Sequence, residues 1–501
     1  MTATMTDQVL LRNCGHKPRV FVTSDIGNDP DDNESLVRLL LYSNELDIQG
    51  LVPCTSAWMR SSVHPEEMEK IIEAFGKVRD NLNAHVHPDN QYPTASYLQS
   101  VVKPGPALYG REALALEAPL SPGAELLVSA LDASNEPLWF LSWGGTNVLA
   151  QALQHAHQSR TENEAQRLRA KLRVYAISDQ DDTGLWIRIT YPDIFYICST
   201  TGWNEYRLAT WSGIAGDLSQ PMDEGGPDIT KVTQAWLKEH IQIGPLGQVY
   251  PDFVFSMEGD SPTFLHLIQN GLGSPDHPHW GSWGGRYVLV DIGEAAKHYA
   301  DARDLVVGKN GRKCQSNYAT IWRWRDAYQN DFAARMRWTL HGDRSRANHA
   351  PVVIINDSGP GPEPYYVSAE VNSEVLLDAS QTYDPDGDDL TFRWFQYKEP
   401  TKAHSLIYWP KVPDLPVKVQ DPSGAIVRVQ LPPANCSAVN VLTGEAVERG
   451  QTLHLILEVK DNGSPSLVTY KRVVLQVTNV GLQGAGKAYR TMTEAVEAFS
   501  M

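Results

Sequence analysis

Between residues 25 and 32 the chain places Asp25, Asp29, Asp31 and Asp32, four carboxylates within eight residues. Ionised side chains this close repel one another unless a positive charge sits among them. Donors that are all oxygen suit a hard divalent cation, Ca²⁺ or Mg²⁺. A carboxylate beside such a cation can also take a proton from water, so the cluster has the parts for hydrolysis as well as for binding. The competing reading is a solvated acidic turn that only caps a helix. Further acids at Asp179, Asp181, Asp182, Glu258 and Asp260 bear on that choice.

The surrounding pattern says how these residues would be held. Val20 to Thr23 reads as a strand running into the acidic loop, and Leu36, Val37, Leu39, Leu40 and Leu41 as a helix behind it. A second strand from Leu46 ends near Thr55 and Ser56, and a helix from His64 through Val78 has Pro at its first turn. Residues 81 to 109, rich in Pro and His, read as a long loop, and a helix starts at Gly123. Leu138 to Trp143 is a third strand followed by Gly144-Gly-Thr-Asn147 and an apolar helix. A polar helix over 161 to 169 precedes a strand from Leu172, which ends at the acids of 179 to 182. Phe195 to Cys198 is a short strand and Thr230 to His240 a helix. Asp252-Phe-Val-Phe is taken as a strand leading to Glu258-Gly-Asp260, with a helix over Thr263 to Gln269. Residues 271 to 288 carry Gly, Pro, His and Trp and read as lid loops.

Alternation of this kind predicts an α/β fold, an open and mainly parallel sheet with helices on both faces. In such a sheet all of the acidic strand ends gather at one rim. From about Ala350 the grammar becomes short alternating strands, beginning with Val352 to Ile355 and separated by turns such as Asp384-Pro-Asp-Gly-Asp-Asp. That is the pattern of an all-β, Ig-like sandwich. The expected division is a flexible leader over 1–17, the α/β domain over 18–345, the sandwich over 346–480 and a tail over 481–501.

Lys and Arg number 43 against 60 Asp and Glu, a formal net charge of -17, which argues against nucleic acid or an anionic membrane surface as partner. No apolar run is long enough for a membrane span, and the start lacks the pattern of a signal peptide. A cytosolic location is expected, with export as the alternative if a leader has been trimmed. The five cysteines show neither a disulfide framework nor metal spacing. Fourteen Trp and 20 Tyr suit sugar stacking, though they equally suit a large core. Self-association is left open.

Asp25-Ile-Gly, Asp31-Asp32 and Gly145-Thr-Asn-Val-Leu-Ala together resemble the nucleoside hydrolases. The resemblance is closer to a cellulose-binding-protein-like branch in which a β-sandwich follows the hydrolase domain. That branch carries the words found here at 25 to 32 and 143 to 147, and the likeness covers residues 18 to about 480. The later half, through Tyr383-Asp-Pro-Asp-Gly-Asp and Val459-Lys-Asp-Asn-Gly, resembles polycystic-kidney-disease and cadherin-like modules. The hydrolase resemblance implies Ca²⁺ as cofactor. Asp25 would be both ligand and general base, with Asp32, the Thr146 carbonyl and Asp260 as further ligands and Asp31 on a sugar hydroxyl. Asp25 and Asp32 stand seven apart, wider than the family's opening motif, so Asp29 is an alternative ligand. Where many nucleoside hydrolases have a His before the last Asp, this chain has Gly259 preceded by Glu258. The family's ribose clamp is also absent, and Gln180, Asp181, Asp182, Trp186 and Arg188 stand in that region instead.

The expected substrate contacts are therefore Asp31, Asn147, Gln180, Asp181, Asp182, Trp186, Glu258 and Trp283. His277, His279 and Trp280 are candidates for a lid, against the simpler reading of packing residues. Trp58, Trp143, Trp203 and Trp211 are core or pocket, with Trp143 beside Gly144-Gly145 favoured for the pocket. The function expected is Ca²⁺-dependent hydrolysis of an N- or O-glycosidic bond of a ribose- or furanose-like sugar. The rival is a carbohydrate-binding protein, for a cellulose-like polysaccharide, that lacks turnover. A haloacid-dehalogenase-like phosphatase shares acidic strand ends, but no Asp-x-Asp-x-Thr follows the first strand.

Overall fold

The computed structural model describes residues 8–203, 205–216, 222–290, 297–402, 412–440, 443–484, 490–491 and 493–494. Two compact units are formed, one by 1–10, 14–268 and 275–347, the other by 11–13, 269–274 and 348–501.

In the first unit β1 (Arg19–Ser24), β2 (Asp47–Pro53), β3 (Leu138–Ser142), β4 (Leu172–Ala176) and β5 (Phe195–Cys198) are parallel. They lie in the order β2-β1-β3-β4-β5, and β7 (His298–Asp301) and the antiparallel β6 (Tyr287–Val290) complete the sheet. The order reverses direction between β1 and β3, so their carboxyl ends open a crevice where such sheets bind ligands. All six residues of β1 are buried, as expected when both faces of a parallel sheet are covered. Phe21, Phe140 and Val174 of the strands pack with Leu127, Leu131, Leu149, Leu153 and Ile187 of the helices. The helix Asp31–Leu41 is buried almost all round, with Leu36, Leu39 and Leu40 at 0% exposure.

Several local expectations are corrected. Residues 81 to 109 are not one loop, because the helices Arg79–Asn83 and Ala95–Ser100 occupy part of the stretch and Thr94 caps the second. Within the leader, the Cys14 amide donates to Asn90 Oδ1 at 2.9 Å and Cys14 is buried, so that end is tied down. A helix at Thr183–Thr190 was not anticipated. The 230–240 stretch begins as a 3₁₀ turn, Thr230–Val232, before the helix Gln234–His240. Residues 252 to 255 form no strand, and Val254 and Phe255 are 64% and 74% exposed. The helix after Asp260 is short, Pro262–Leu265. A hairpin of β8 (Asp304–Val307) and β9 (Lys313–Ser316) was also not foreseen.

The second unit holds two sheets. One runs β10 (Tyr365–Glu370), β16 (Val468–Thr478), β15 (Arg449–Asp461), β12 (Leu390–Gln396), and the other β11 (Glu374–Asp378), β14 (Ile426–Gln430), β13 (Val417–Val419). All pairings are antiparallel except β10 with β16. Leu377, Val427 and Val429 meet Leu455, Leu457, Val473 and Leu475 in a shared apolar core, which makes the unit a sandwich. Val352 makes only an isolated bridge to Tyr383, so 352–355 is not a strand. The first part of the expected lid is also accounted for here. The Asn270 carbonyl accepts from the Tyr470 amide at 2.8 Å and the Gly271 carbonyl from the Arg472 amide at 3.1 Å, so this segment extends β16.

Candidate functional site

The crevice at the ends of β1 and β3 is a cavity of about 710 Å³. Asp25, Asp29, Asp31, Asp32 and Asp260 form its acidic wall; Trp58, Trp143, Tyr206, Trp211 and Phe255 supply aromatic surface. Ser24 closes β1 and its hydroxyl donates to Asp32, while Ser56, at the end of β2, donates to Asp25 Oδ2 at 2.5 Å. Asp25 and Asp32 are thus held by serine hydroxyls at and just beyond the ends of neighbouring strands. Asp29 Oδ1 accepts from the Asp31 amide at 3.3 Å and Asp31 Oδ1 from the Asp32 amide at 3.0 Å, so these two also serve the first turn of the helix. The N-cap of the helix Asp31–Leu41 is Pro30, with no side-chain cap bond.

Asp29, Asp31 and Asp32 offer carboxylate oxygens that all lie within 4.8 Å of one another. Asp260 is 1% exposed, and its Oδ2 has no hydrogen-bond partner among the described residues. An orphaned carboxylate oxygen in a buried acidic pocket is costly unless a cation or a proton takes it up. Burial is the first cause that raises Asp25 to about 7, with the nearby Asp29 charge adding and the Ser56 hydrogen bond opposing. Burial and then the Asp260 charge push Asp31 and Asp32 well above the usual carboxylate range. Asp260 is raised by burial and by Asp25 and Asp29.

Two glycine positions let the walls come together. A Cβ on Gly144 would lie 2.9 Å from the Asp25 amide nitrogen, and one on Gly145 would lie 2.6 Å from the Thr55 carbonyl oxygen. A Cβ on Gly259 would sit 2.8 Å from Asp31 Oδ2 and 3.1 Å from the Trp211 ring. Asp31 and Trp211 close over a residue that has no side chain.

The residues singled out from the sequence divide plainly. Asp25, Asp29, Asp31, Asp32, Asp260 and Gln180 line one cavity. Gln180 Nε2 donates to the Trp143 carbonyl at 2.5 Å, which aims its amide from the β4 end. Thr146 does not line the cavity; its carbonyl accepts from the Ala150 amide at 3.0 Å and its hydroxyl pairs with Thr183. Asn147 is fully buried and ties Thr55 Oγ1 to the Leu108 carbonyl. Asp181 accepts from the Thr183 and Asn147 amides behind the Gly144–Gly145 turn, and burial lifts it to about 6. Asp182 accepts from the Arg111 amide, and Arg188 forms a two-pronged pair with Asp179. Trp186 packs edge-on against Tyr191, and Trp283, 1% exposed, against Tyr328. Glu258 is engaged by Arg38 Nη1 at 2.5 Å, with both side chains at 0% exposure. None of Asn147, Asp181, Asp182, Trp186, Glu258 and Trp283 lines the cavity.

His277 stacks on Trp280 at 4.2 Å, and neither lines the cavity. Trp58, Trp143 and Trp211 do, whereas the side chain of Trp203 lies outside the described residues. Tyr206, Val254 and Phe255 were missed. An exposed Val-Phe pair shortly before Glu258-Gly-Asp260 was the available signal, obscured because two β-formers in a row read as a strand.

An open parallel sheet with an acidic pocket at its switch point, followed by a β-sandwich, defines a nucleoside-hydrolase-like protein with an appended β module. The chain belongs to the family described as cellulose-binding Sde182, nucleoside hydrolase-like domain, which matches residues 19–287. Residues 374–477 match the C-terminal domain of the cellulose-binding protein Sde0182. A solved structure from Saccharophagus degradans, described as a nucleoside hydrolase-related hypothetical protein associated with carbohydrate metabolism, is 32% identical. It covers 92% of this chain and 100% of its own, with a TM-score of 0.73. The effector protein XOO4466 aligns over 57% of this chain and 88% of its own, at 13% identity and a TM-score of 0.29, and supports no inference. No curated protein matches.

Proposed function

We propose that the pocket is a Ca²⁺-dependent hydrolytic site for the glycosidic bond of a neutral sugar. The observation that carries the reading is the buried, unpartnered Asp260 Oδ2 in the same cavity as Asp25, Asp29, Asp31 and Asp32. Oxygen-only donors of this number fit Ca²⁺, with Asp25, Asp32 and Asp260 as holders and Asp29 beside them. When bound, the cation lowers the pKa of a water and fixes its direction.

The chain's own residues supply the rest. Ser56 occupies Asp25 Oδ2 and leaves the other oxygen to take the proton of the attacking water. Asp31 accepts from a sugar hydroxyl. Gln180, its amide nitrogen committed to Trp143, keeps its oxygen for another hydroxyl. The remaining carboxylate charge favours the positive charge that develops on the sugar as the bond breaks. Among the described lining residues there is no Lys, Arg or His, so a phosphorylated or acidic sugar would meet only like charge.

The test is release of reducing sugar from nucleosides and from neutral aryl and oligosaccharide glycosides, with and without EDTA. Turnover lost on chelation and restored by Ca²⁺ supports the reading; turnover indifferent to EDTA overturns it. A second reading, carbohydrate binding without turnover, is favoured by the exposed Trp58 at 59% and Phe255 at 74% on the cavity and by the family's description as cellulose-binding. Retention on a polysaccharide with no release from any member of the panel would select it.

A further inference from the structure

We propose that Arg38 is a positioning residue for the cation site, acting through Glu258 to hold Asp260 against the acids of the first loop. The inference rests on the metal reading above. Arg38 and Glu34 stand four apart on the helix Asp31–Leu41 and so share a face. Both grip one residue. Glu34 Oε2 accepts from the Glu258 amide at 2.9 Å, while Arg38 Nη1 donates to Glu258 Oε2 at 2.5 Å. The helix that begins with Asp31 and Asp32 therefore clamps both the backbone and the side chain two residues before Asp260.

The grip has a conformational counterpart. Glu258 has φ +52, a left-handed backbone that a residue with a Cβ holds under constraint. The turn that follows is fixed by the Ser261 amide on the Glu258 carbonyl at 3.2 Å and the Thr263 amide on the Asp260 carbonyl at 3.0 Å. Tyr250 and Ser261 hydroxyls hold the two Glu258 carboxylate oxygens at 2.7 and 3.0 Å. Arg38 is itself anchored. Its Nη2 donates to the Tyr328 carbonyl and to Gln329 Oε1, both at 2.8 Å, and its guanidinium lies 4.2 Å from the Phe332 ring centre.

Stability alone does not call for such a pair, because a buried ion pair replaced by apolar groups is often no less stable. What the pair does supply is a fixed separation between two chain segments 220 residues apart. On one stand Asp31 and Asp32; on the other, Asp260, whose Oδ2 has no hydrogen-bond partner among the described residues. Supporting contacts of this kind tune metal affinity.

The test compares Ca²⁺ affinity, by calorimetry on the full chain, for the unmodified protein, Arg38→Lys, Glu258→Gln and Arg335→Lys. Arg335 is the structural control, a buried Arg on Glu45 and Asp331 that does not line the cavity. All titrations are run well below each variant's own melting temperature. Arg38→Lys and Glu258→Gln are expected to weaken Ca²⁺ by about tenfold or more. Arg335→Lys should lower the melting temperature and leave the affinity within about twofold, a change worth less than RT. If Arg38→Lys does not fold, Glu258→Gln decides. Unchanged affinity in the variants that fold, or an equal loss in Arg335→Lys, overturns the positioning role alone. No Ca²⁺ binding by the unmodified protein overturns the metal reading and this inference with it.

Discussion

Two aspartate-rich loops in this chain look alike as sequence and differ as chemistry. In the loop after β1 the carboxylates line one cavity together, and burial raises Asp25, Asp31 and Asp32, as it also raises Asp384 in the second loop. In the turn of residues 384 to 389, Asp384 Oδ1 accepts from the Asp386 and Asp388 amides, and Asp386 pairs with His349. Both loops spend oxygens on their own backbone, the first through Asp29 Oδ1 on the Asp31 amide and Asp31 Oδ1 on the Asp32 amide. Asp384 Oδ2, like Asp260 Oδ2, is buried with no hydrogen-bond partner among the described residues. Among those residues, only the first loop brings three carboxylates within 4.8 Å of one another beside a cavity. Counting acids does not separate the two cases. The convergence of carboxylates beside a cavity does.

The comparison breaks most visibly at Asp25. Asp25→Asn should lower turnover on a neutral glycoside by roughly 10²- to 10⁴-fold, the usual worth of a general base, measured as reducing-sugar release. Next comes the cation itself. Ca²⁺ at about a hundred times its Kd should stabilise by about 2.7 kcal/mol, seen as a rise in melting temperature that EDTA reverses.

Titration sharpens the contrast. Burial holds Asp25 at about 7 and Asp461, near the 384 to 389 turn, at about 6. Both keep protons that the unfolded chain has released above about pH 4, so the unfolded state binds fewer protons through this window. Stability of the chelated protein should therefore fall as pH rises from about 4 through 7, read from urea midpoints. Ca²⁺ should abolish the Asp25 part of that slope and leave the Asp461 part.

Smaller effects follow. Trp58→Ala should weaken binding of a neutral oligosaccharide by roughly tenfold, since an aromatic contact contributes ~1 kcal/mol or slightly more. Asp384→Ala should cost about 1 kcal/mol of stability in a denaturant titration, through its two amide acceptor bonds, with turnover unchanged. A loss of turnover there would erase the distinction between the loops.

The first βα unit was legible because an apolar strand, an acidic loop and an apolar helix follow one another within 23 residues, Arg19 to Leu41. The same locality exposed Asp25 to Asp32 as a group. The ion pair of Glu258 was not legible because its partner Arg38 lies 220 residues away, a pairing that no local pattern carries. Trp186 and Trp283 looked available beside polar residues, yet Trp186 packs on Tyr191 just beyond its own helix and Trp283 on Tyr328 far along the chain. Val254 and Phe255 failed in the opposite sense, since their type favours a strand while their place beside the cavity leaves them exposed.

Gly259 gives the pocket a narrow tolerance to genetic change. Asp31 and Trp211 meet where its side chain would be, so the acidic and aromatic halves of the wall are joined across a gap smaller than one methyl group. A single codon change to Ala would act as a wedge there, its methyl pressed against Asp31 Oδ2 on one side and the Trp211 ring on the other, prising the acidic wall from the aromatic one.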